Sequence, residues 1–220
     1  MNLAIETNQV ESVFLLTEES IRDLLRRGVS EGMVAVLPQS SLRDSSKIKN
    51  ILNDTLAAYK ILSELCDDLT SLDSATICRI HSCLMKTCRY GDLNYVPAGK
   101  TRTETRKTVI VSGAYKIECC PFPDVDKELE YICKMAKQWI KSWRNPFATA
   151  SWIHLVLVRC HPFEDGNGRM ARLLASIPLM NHGYPPVPIG LTHRAEYYAA
   201  INKVRNLFGN LCRDMLGNGK

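Results

Sequence analysis

His161-Pro162-Phe163-Glu164-Asp165-Gly166-Asn167-Gly168-Arg169 separates two apolar helical runs. The first passes through Trp152, Leu155 and Val158, and the second begins near Gly168. Pro162 has no N–H to continue a helical ladder, so the first run ends there. Gly166, Asn167 and Gly168 tolerate positive φ and close backbone approach, so successive N–H groups can converge on an anion. The second helix starts at that point with its positive dipole end facing the same place.

Two cations follow where a helix start disfavours them. Arg169 falls in the first turn, against the dipole. Arg172 lies three residues on, along the same face. A polyanion seated between them would offset that cost. Asp165 adds one hard oxygen beside the anion, which suits Mg²⁺ shared between a carboxylate and phosphates. His161 supplies a base that titrates near neutral pH. Phe163 is assigned to the core. These residues together read as a Mg·polyphosphate site with a general base at its lip.

Outward from this stretch the periodicity is helical almost throughout. Thr17 caps a helix with Glu18 and Glu19 in its first turn, Ile21, Leu24 and Leu25 as its stripe, and Gly28 at its end. Ile48 to Leu65 mark a longer helix, about 73–88 a third, and Val125 to Trp143 a fourth. Pro146 opens the apolar run before His161. The helix after Gly168 ends near Gly183, with Pro178 expected to kink it or loosen a turn. A last helix is expected over about 195–208. Lys107 to Gly113 is β-branched and ends in a turn signal, and Tyr115-Lys116-Ile117 follows, which reads as a hairpin. The expected fold class is all-α, one helical domain with one small β-hairpin.

The chain has 220 residues and a net charge of +5, too small a surplus to argue for nucleic acid. No stretch is apolar for long enough to span a bilayer, and the N-terminus lacks a signal-peptide pattern. Nine cysteines in helix-like patterns read as free thiols of a reducing compartment, cytoplasmic or nuclear. Cys78, Cys83 and Cys88 recur every five residues, which is not a usual zinc-ligand spacing.

The stretch resembles the Fic family signature His-Pro-Phe-x-(Asp/Glu)-Gly-Asn-Gly-Arg-x-x-Arg, matching every fixed position through Arg172. The resemblance implies the Fic fold and protein AMP transfer, with ATP as co-substrate and Mg²⁺ as cofactor. His161 would take the proton of a target protein's hydroxyl, and Asp165 would hold Mg²⁺. Gly166, Asn167 and Gly168 would cradle the phosphates, while Arg169 and Arg172 bind their far end. Thr108, Val109, Ile110 and Val111 resemble the family's flap, which aligns the target by main-chain pairing. Gly183-Tyr184-Pro185-Pro186-Val187 and Arg194-Ala195-Glu196-Tyr197-Tyr198 resemble the tail of animal-type members, where the tyrosine helix lines the adenine pocket. The chain departs from them at Val204-Arg205-Asn206-Leu207-Phe208, which leaves Asn202 and Asn206 as weak candidates for an adenine contact. A homodimer is implied only by analogy.

Ile5-Glu6-Thr7-Asn8 resembles the inhibitory segment (Ser/Thr)-x-x-x-Glu-(Gly/Asn) of one Fic class, with Asn2 and Thr7 replacing its flanking residues. The resemblance implies that Glu6 pairs with Arg172 and blocks the γ-phosphate's seat. Residues 1–16 would then be the inhibitory segment, with Asn2 able to cap its helix, and 17–220 the catalytic domain. The motif begins at residue 2, which fits a piece of a longer protein. Two other functions stand beside AMP transfer: removal of AMP from a modified protein, with Glu6 orienting a water, and a nucleotide-binding interaction module without turnover.

Overall fold

The computed structural model describes residues 1–90, 94–111, 117–142 and 144–203. The expected hairpin's tip, Trp143, Asn206 and the last helix beyond residue 203 lie outside them. Among the described residues the chain is mostly helical, with almost no strand. The helices are α1 (Asn2–Val10), α2 (Glu18–Glu31), α3 (Ser45–Asp67), α4 (Ser74–Leu84), α5 (Arg102–Thr105), α6 (Val125–Ser142), α7 (Pro146–Cys160) and α8 (Asn167–Met180). Residues 194–203 are helical as well.

Local chemistry fixes most of these boundaries. Thr17, Asp44, Asp73 and Asn145 each accept backbone N–H bonds at the starts of α2, α3, α4 and α7. Pro146 occupies the first turn of α7, where its missing N–H costs nothing. Gly28 leaves the helical conformation inside α2 at φ 79°, so the regular run ends where the sequence places it. Pro178 sits inside α8, which continues only to Met180. The third helix is shorter than expected: α4 stops at Leu84, and a two-residue strand, β1 (Arg89–Tyr90), pairs antiparallel with β2 (Asn94–Tyr95). A second antiparallel pair, β3 (Ile110–Val111) with β4 (Ile117–Glu118), lies in the hairpin region read from the sequence.

One apolar core runs through the bundle. α7 and α8 pack against each other, α3 against α4 and α8, and α6 against α7. Leu52, Leu62, Ile80, Leu129, Leu173 and Ile177 are buried at its centre. The Trp139 and Trp152 rings meet edge-on at 4.1 Å between α6 and α7. α1 belongs to this core through Ala4 and Ile5 rather than fraying at the terminus. The turn between α7 and α8 is thereby carried on two rigid, closely packed helices.

Candidate active site

The α7–α8 turn is over-determined. His161 ends α7 in the left-handed region at φ 51°, its N–H bonded to the Leu157 carbonyl at 2.8 Å. Phe163 is fully buried and stacks on His81 with ring centroids 3.6 Å apart. The Asn167 side chain spends both ends on Phe163, accepting its N–H at 3.0 Å and donating to its carbonyl at 2.8 Å. Asn167 therefore braces the turn with its side chain, leaving only its backbone to face an anion. Gly166 caps α8 at φ 76°, and a Cβ there would press on Met85 Sδ at 2.6 Å.

His81 aims the turn from beneath. Its Nδ1 accepts the Gly99 N–H at 2.9 Å, so Nε2 carries the proton that it donates to the Asp165 carbonyl at 3.0 Å. Burial, with a smaller contribution from Arg169, pushes His81 down to about 4, which keeps it neutral. A trans peptide points its C=O and N–H in opposite directions. Holding the Asp165 carbonyl on His81 therefore turns the Gly166 N–H away from it, where Asp165 Oδ1 accepts it at 2.6 Å.

Both arginines are nearly fully buried, at 2 % and 1 % exposure, which is costly for cations without partners. Arg169 donates from one nitrogen to Asn8 Oδ1 at 3.2 Å and Cys88 Sγ at 3.4 Å, and lies 3.8 Å from Asp165 Oδ2. Its Nε is buried with no partner. Arg172 is fully engaged. It donates from Nε to Thr7 Oγ1 at 3.0 Å and from Nη2 to the Thr7 carbonyl at 3.0 Å. Its Nη1 reaches Glu11 Oε1 at 2.6 Å and the Tyr197 hydroxyl at 3.0 Å. Burial opposes the charge on Arg172, but Glu11 and Tyr197 hold its pKa above the ordinary value.

The carboxylate at Arg172 is thus Glu11, which corrects the pairing expected for Glu6. Glu6 lies within α1 and takes the Asn2 amide one turn back at 3.0 Å. Asn2 is inside the helix rather than its cap; Met1 holds that position without a side-chain bond. Glu11 comes just after α1, and Ser12 at φ 56° turns the chain beyond it. This places the carboxylate across the start of α8, where a Cβ on Gly168 would collide with it. Tyr198 donates to Glu11 Oε2 at 3.2 Å, and Arg194 donates to the Val10 carbonyl at 2.7 Å. The two tyrosines therefore meet the arginine and the carboxylate. The sequence held the signal in another register: Thr7-x-x-x-Glu11-Ser12 fits the inhibitory pattern better than the segment ending at Glu6.

A cavity of about 430 Å³ opens beside this cluster, lined by Glu11, Lys47, Thr87, Arg89, Asp165 and Arg169 among others. That volume is within the range of small-ligand sites. Among the described residues no group of three His, Cys, Asp or Glu side chains could hold a metal unaided. The half-exposed Asp165 carboxylate on the cavity wall fits Mg²⁺ only as one ligand, with phosphate oxygens and water completing the shell. Arg102, a buried residue without a signal in the sequence, donates to the His161 carbonyl and to the carbonyls of Lys107 and Cys120, which flank β3 and β4.

The comparisons with known proteins bear on the family and the fold. Residues 71–179 match the family model described as Fic/DOC family, a span that includes His81 and the whole α7–α8 turn. The chain carries a Fic/DOC-family domain. It is 30 % identical over 180 residues to a protein adenylyltransferase, fic-1, of Caenorhabditis elegans, covering 78 % of this chain and 31 % of that protein. The chain thus spans about a third of the length of this curated relative. A Fic domain containing signaling protein from Bacteroides thetaiotaomicron superposes with a TM-score of 0.73 at 19 % identity, over 91 % of this chain and 69 % of that one. The Caenorhabditis elegans Fic-1 structure gives a TM-score of 0.63 at 24 % identity, over 92 % of this chain and 54 % of that one. Both likenesses bear on the fold. No helix among the described residues is long and apolar enough to cross a membrane.

Proposed function

We propose that this chain is a protein adenylyltransferase that moves AMP from Mg·ATP to a Ser, Thr or Tyr hydroxyl of a target protein, with Glu11 as its brake. The observation that carries this reading is the position of the Glu11 carboxylate. It lies across Gly168 at the positive end of α8 and on Arg172, which marks the place as a seat for an anion. Arg169, with its spare Nε, and the adjoining cavity leave room for further negative charge. The relative named as a protein adenylyltransferase supports the same activity.

In this reading the acceptor oxygen attacks the α-phosphorus, the bond to the α–β bridging oxygen breaks, and pyrophosphate leaves. The acceptor's proton passes to His161. The His161 Nδ1 lies 3.4 Å from the Val158 carbonyl. With Nδ1 donating there, Nε2 is the nitrogen that would take that proton. The backbone of Gly166 to Gly168 and the two arginines orient the phosphates and stabilise the charge that moves onto the leaving group. Mg²⁺, held by Asp165 with the phosphates, would supply neutralising charge.

Glu11 opposes this by occupying the seat. A carboxylate and a phosphate about 4 Å apart repel by about 4 kcal/mol at an effective dielectric near 20. A triphosphate that enters beside Glu11 is displaced, and a displacement of about 1 Å is enough to cost 10²-fold in rate. The test is mass spectrometry of cell lysate incubated with Mg·ATP and the Glu11→Gly chain. AMP on hydroxyl side chains of lysate proteins, and none with a Glu11→Gly/His161→Ala chain, is the expected result. No AMP adduct with either chain would refute the activity.

A further inference from the structure

Arg102 opens α5, is 1 % exposed, and has no ion-pair partner among the described residues. A buried guanidinium without a carboxylate is costly unless its donors are used. Among the described residues its side-chain bonds all go to backbone carbonyls. Nε donates to His161 at 2.6 Å, and Nη2 to Cys160 at 3.0 Å. Nη2 also reaches Cys120 at 2.6 Å, and Nη1 reaches Lys107 at 3.1 Å. The Arg102 N–H donates to the Pro162 carbonyl at 2.8 Å.

Two of those carbonyls belong to the end of α7, where the last turn leaves acceptors unpaired and a cation is favoured. Capping α7 would need no more than these. The other two frame the hairpin: Lys107 lies just before β3 and Cys120 just after β4. The neighbouring residue adds a third tie to the hairpin's exit, Thr103 Oγ1 donating to the Phe122 carbonyl at 2.7 Å. One planar fork of donors therefore spans the backbone of His161 and both ends of the hairpin. Lysine, a single point of donation on a flexible stem, cannot reproduce that span.

We propose that Arg102 is a positioning residue for the transfer: it sets how far the hairpin stands from His161, and so aligns a hairpin-bound acceptor hydroxyl with the base. This rests on the AMP-transfer reading above. Arg102 bonds His161 at its backbone carbonyl, and the phosphate seat lies around Glu11 and the start of α8. Its loss should therefore separate two acceptors. A protein hydroxyl delivered by the hairpin depends on the spacing, whereas water needs no hairpin.

The experiment compares Arg102→Lys with its parent in a Glu11→Gly background, using ATP labelled at the α-phosphate. Three quantities are read: label on the chain itself, AMP released to water, and ATP affinity. The expected result is a fall of about tenfold or more in self-modification, since about 1 Å of misplacement suffices for such losses. AMP release and ATP affinity should change by less than about twofold, because the α8 seat is untouched. Equal losses in all three, or undiminished self-modification, would overturn the proposal. Should Arg102→Lys fail to fold, Thr103→Val carries the test. It removes one tie to the hairpin without emptying the core, and a smaller loss confined to self-modification is expected. An unchanged ratio of the two acceptors in that variant would overturn the proposal. No labelling in the parent Glu11→Gly chain would instead refute AMP transfer itself.

Discussion

Glu11 Oε1 and Arg172 Nη1 lie 2.6 Å apart across the start of α8, joining the N-terminal segment to the second arginine of the signature. Arg172 is 1 % exposed and the Glu11 side chain is 26 % exposed, so the pair is shielded from solvent on the arginine's side. Breaking one partner of such a pair strands the other charge unless an anion takes its place. In the proposed reaction that anion is a nucleotide phosphate, which would compete with the chain's own carboxylate.

Thr7 should tune that competition. Its hydroxyl and carbonyl both accept from Arg172, holding the segment in register with Glu11. Thr7→Val removes the hydroxyl bond and keeps the shape. Self-modification should rise by about twofold to tenfold, the range given by the net contribution of about 0.5–1.5 kcal/mol that a typical hydrogen bond makes. Initial rates at saturating Mg·ATP measure it. A rate equal to the parent's would show that Thr7 contributes nothing to the brake.

Asp165 should link ATP affinity to the cation. In Asp165→Asn within the Glu11→Gly background, ATP binding in the presence of Mg²⁺ should fall toward the value measured with chelator. Phosphates alone hold the ion poorly. Titration calorimetry with and without Mg²⁺ reads the difference. If the Mg²⁺ dependence is unchanged, the ligand is elsewhere, with Glu164 as the neighbouring carboxylate to examine.

Acid should weaken the fold through two histidines. Burial pushes both His81 and His154 from 6.5 down to about 4. The unfolded chain takes up these protons first, so stability is fully present above pH 6.5 and is lost as pH falls from 6.5 toward 4. Each histidine contributes at most about 3 kcal/mol across that window. His154 Nε2 lies 2.8 Å from the Tyr197 hydroxyl, a partner that glutamine can also accept from. His154→Gln should therefore show a shallower loss of denaturant stability between pH 6.5 and pH 5 than the parent. Parallel curves would contradict the buried neutral state of His154.

The parts of the site most legible in the sequence were those written in adjacent residues. The run from His161 to Arg172 announces its turn through Pro162, Gly166 and Gly168, and its bonding through the placement of Arg169 and Asp165. The helices were legible because their caps are local, as Thr17, Asp73 and Asn145 show. Arg102 was not, since its partners are carbonyls up to 60 residues away and a carbonyl leaves no trace in residue type. His81 was hidden for the same reason, its two bonds going to the backbone of Gly99 and Asp165. Glu6 and Glu11 both follow a plausible pattern, five residues apart; Thr7-x-x-x-Glu11-Ser12 is the nearer match, and Glu11, at the end of α1, is the carboxylate that reaches Arg172.

In the proposed reaction His161 drives AMP transfer at a seat that Glu11 holds closed. Its most direct measurement is the rate of self-modification from α-labelled Mg·ATP in the parent chain, Glu11→Gly, and Glu11→Gly/His161→Ala. Glu11→Gly should exceed the parent by about 10²-fold, the loss ascribed above to phosphate misplacement. Adding His161→Ala should lower that rate by about 10²–10⁴-fold while leaving ATP affinity nearly unchanged. Equal rates in the parent and Glu11→Gly chains, or undiminished transfer without His161, would contradict the account.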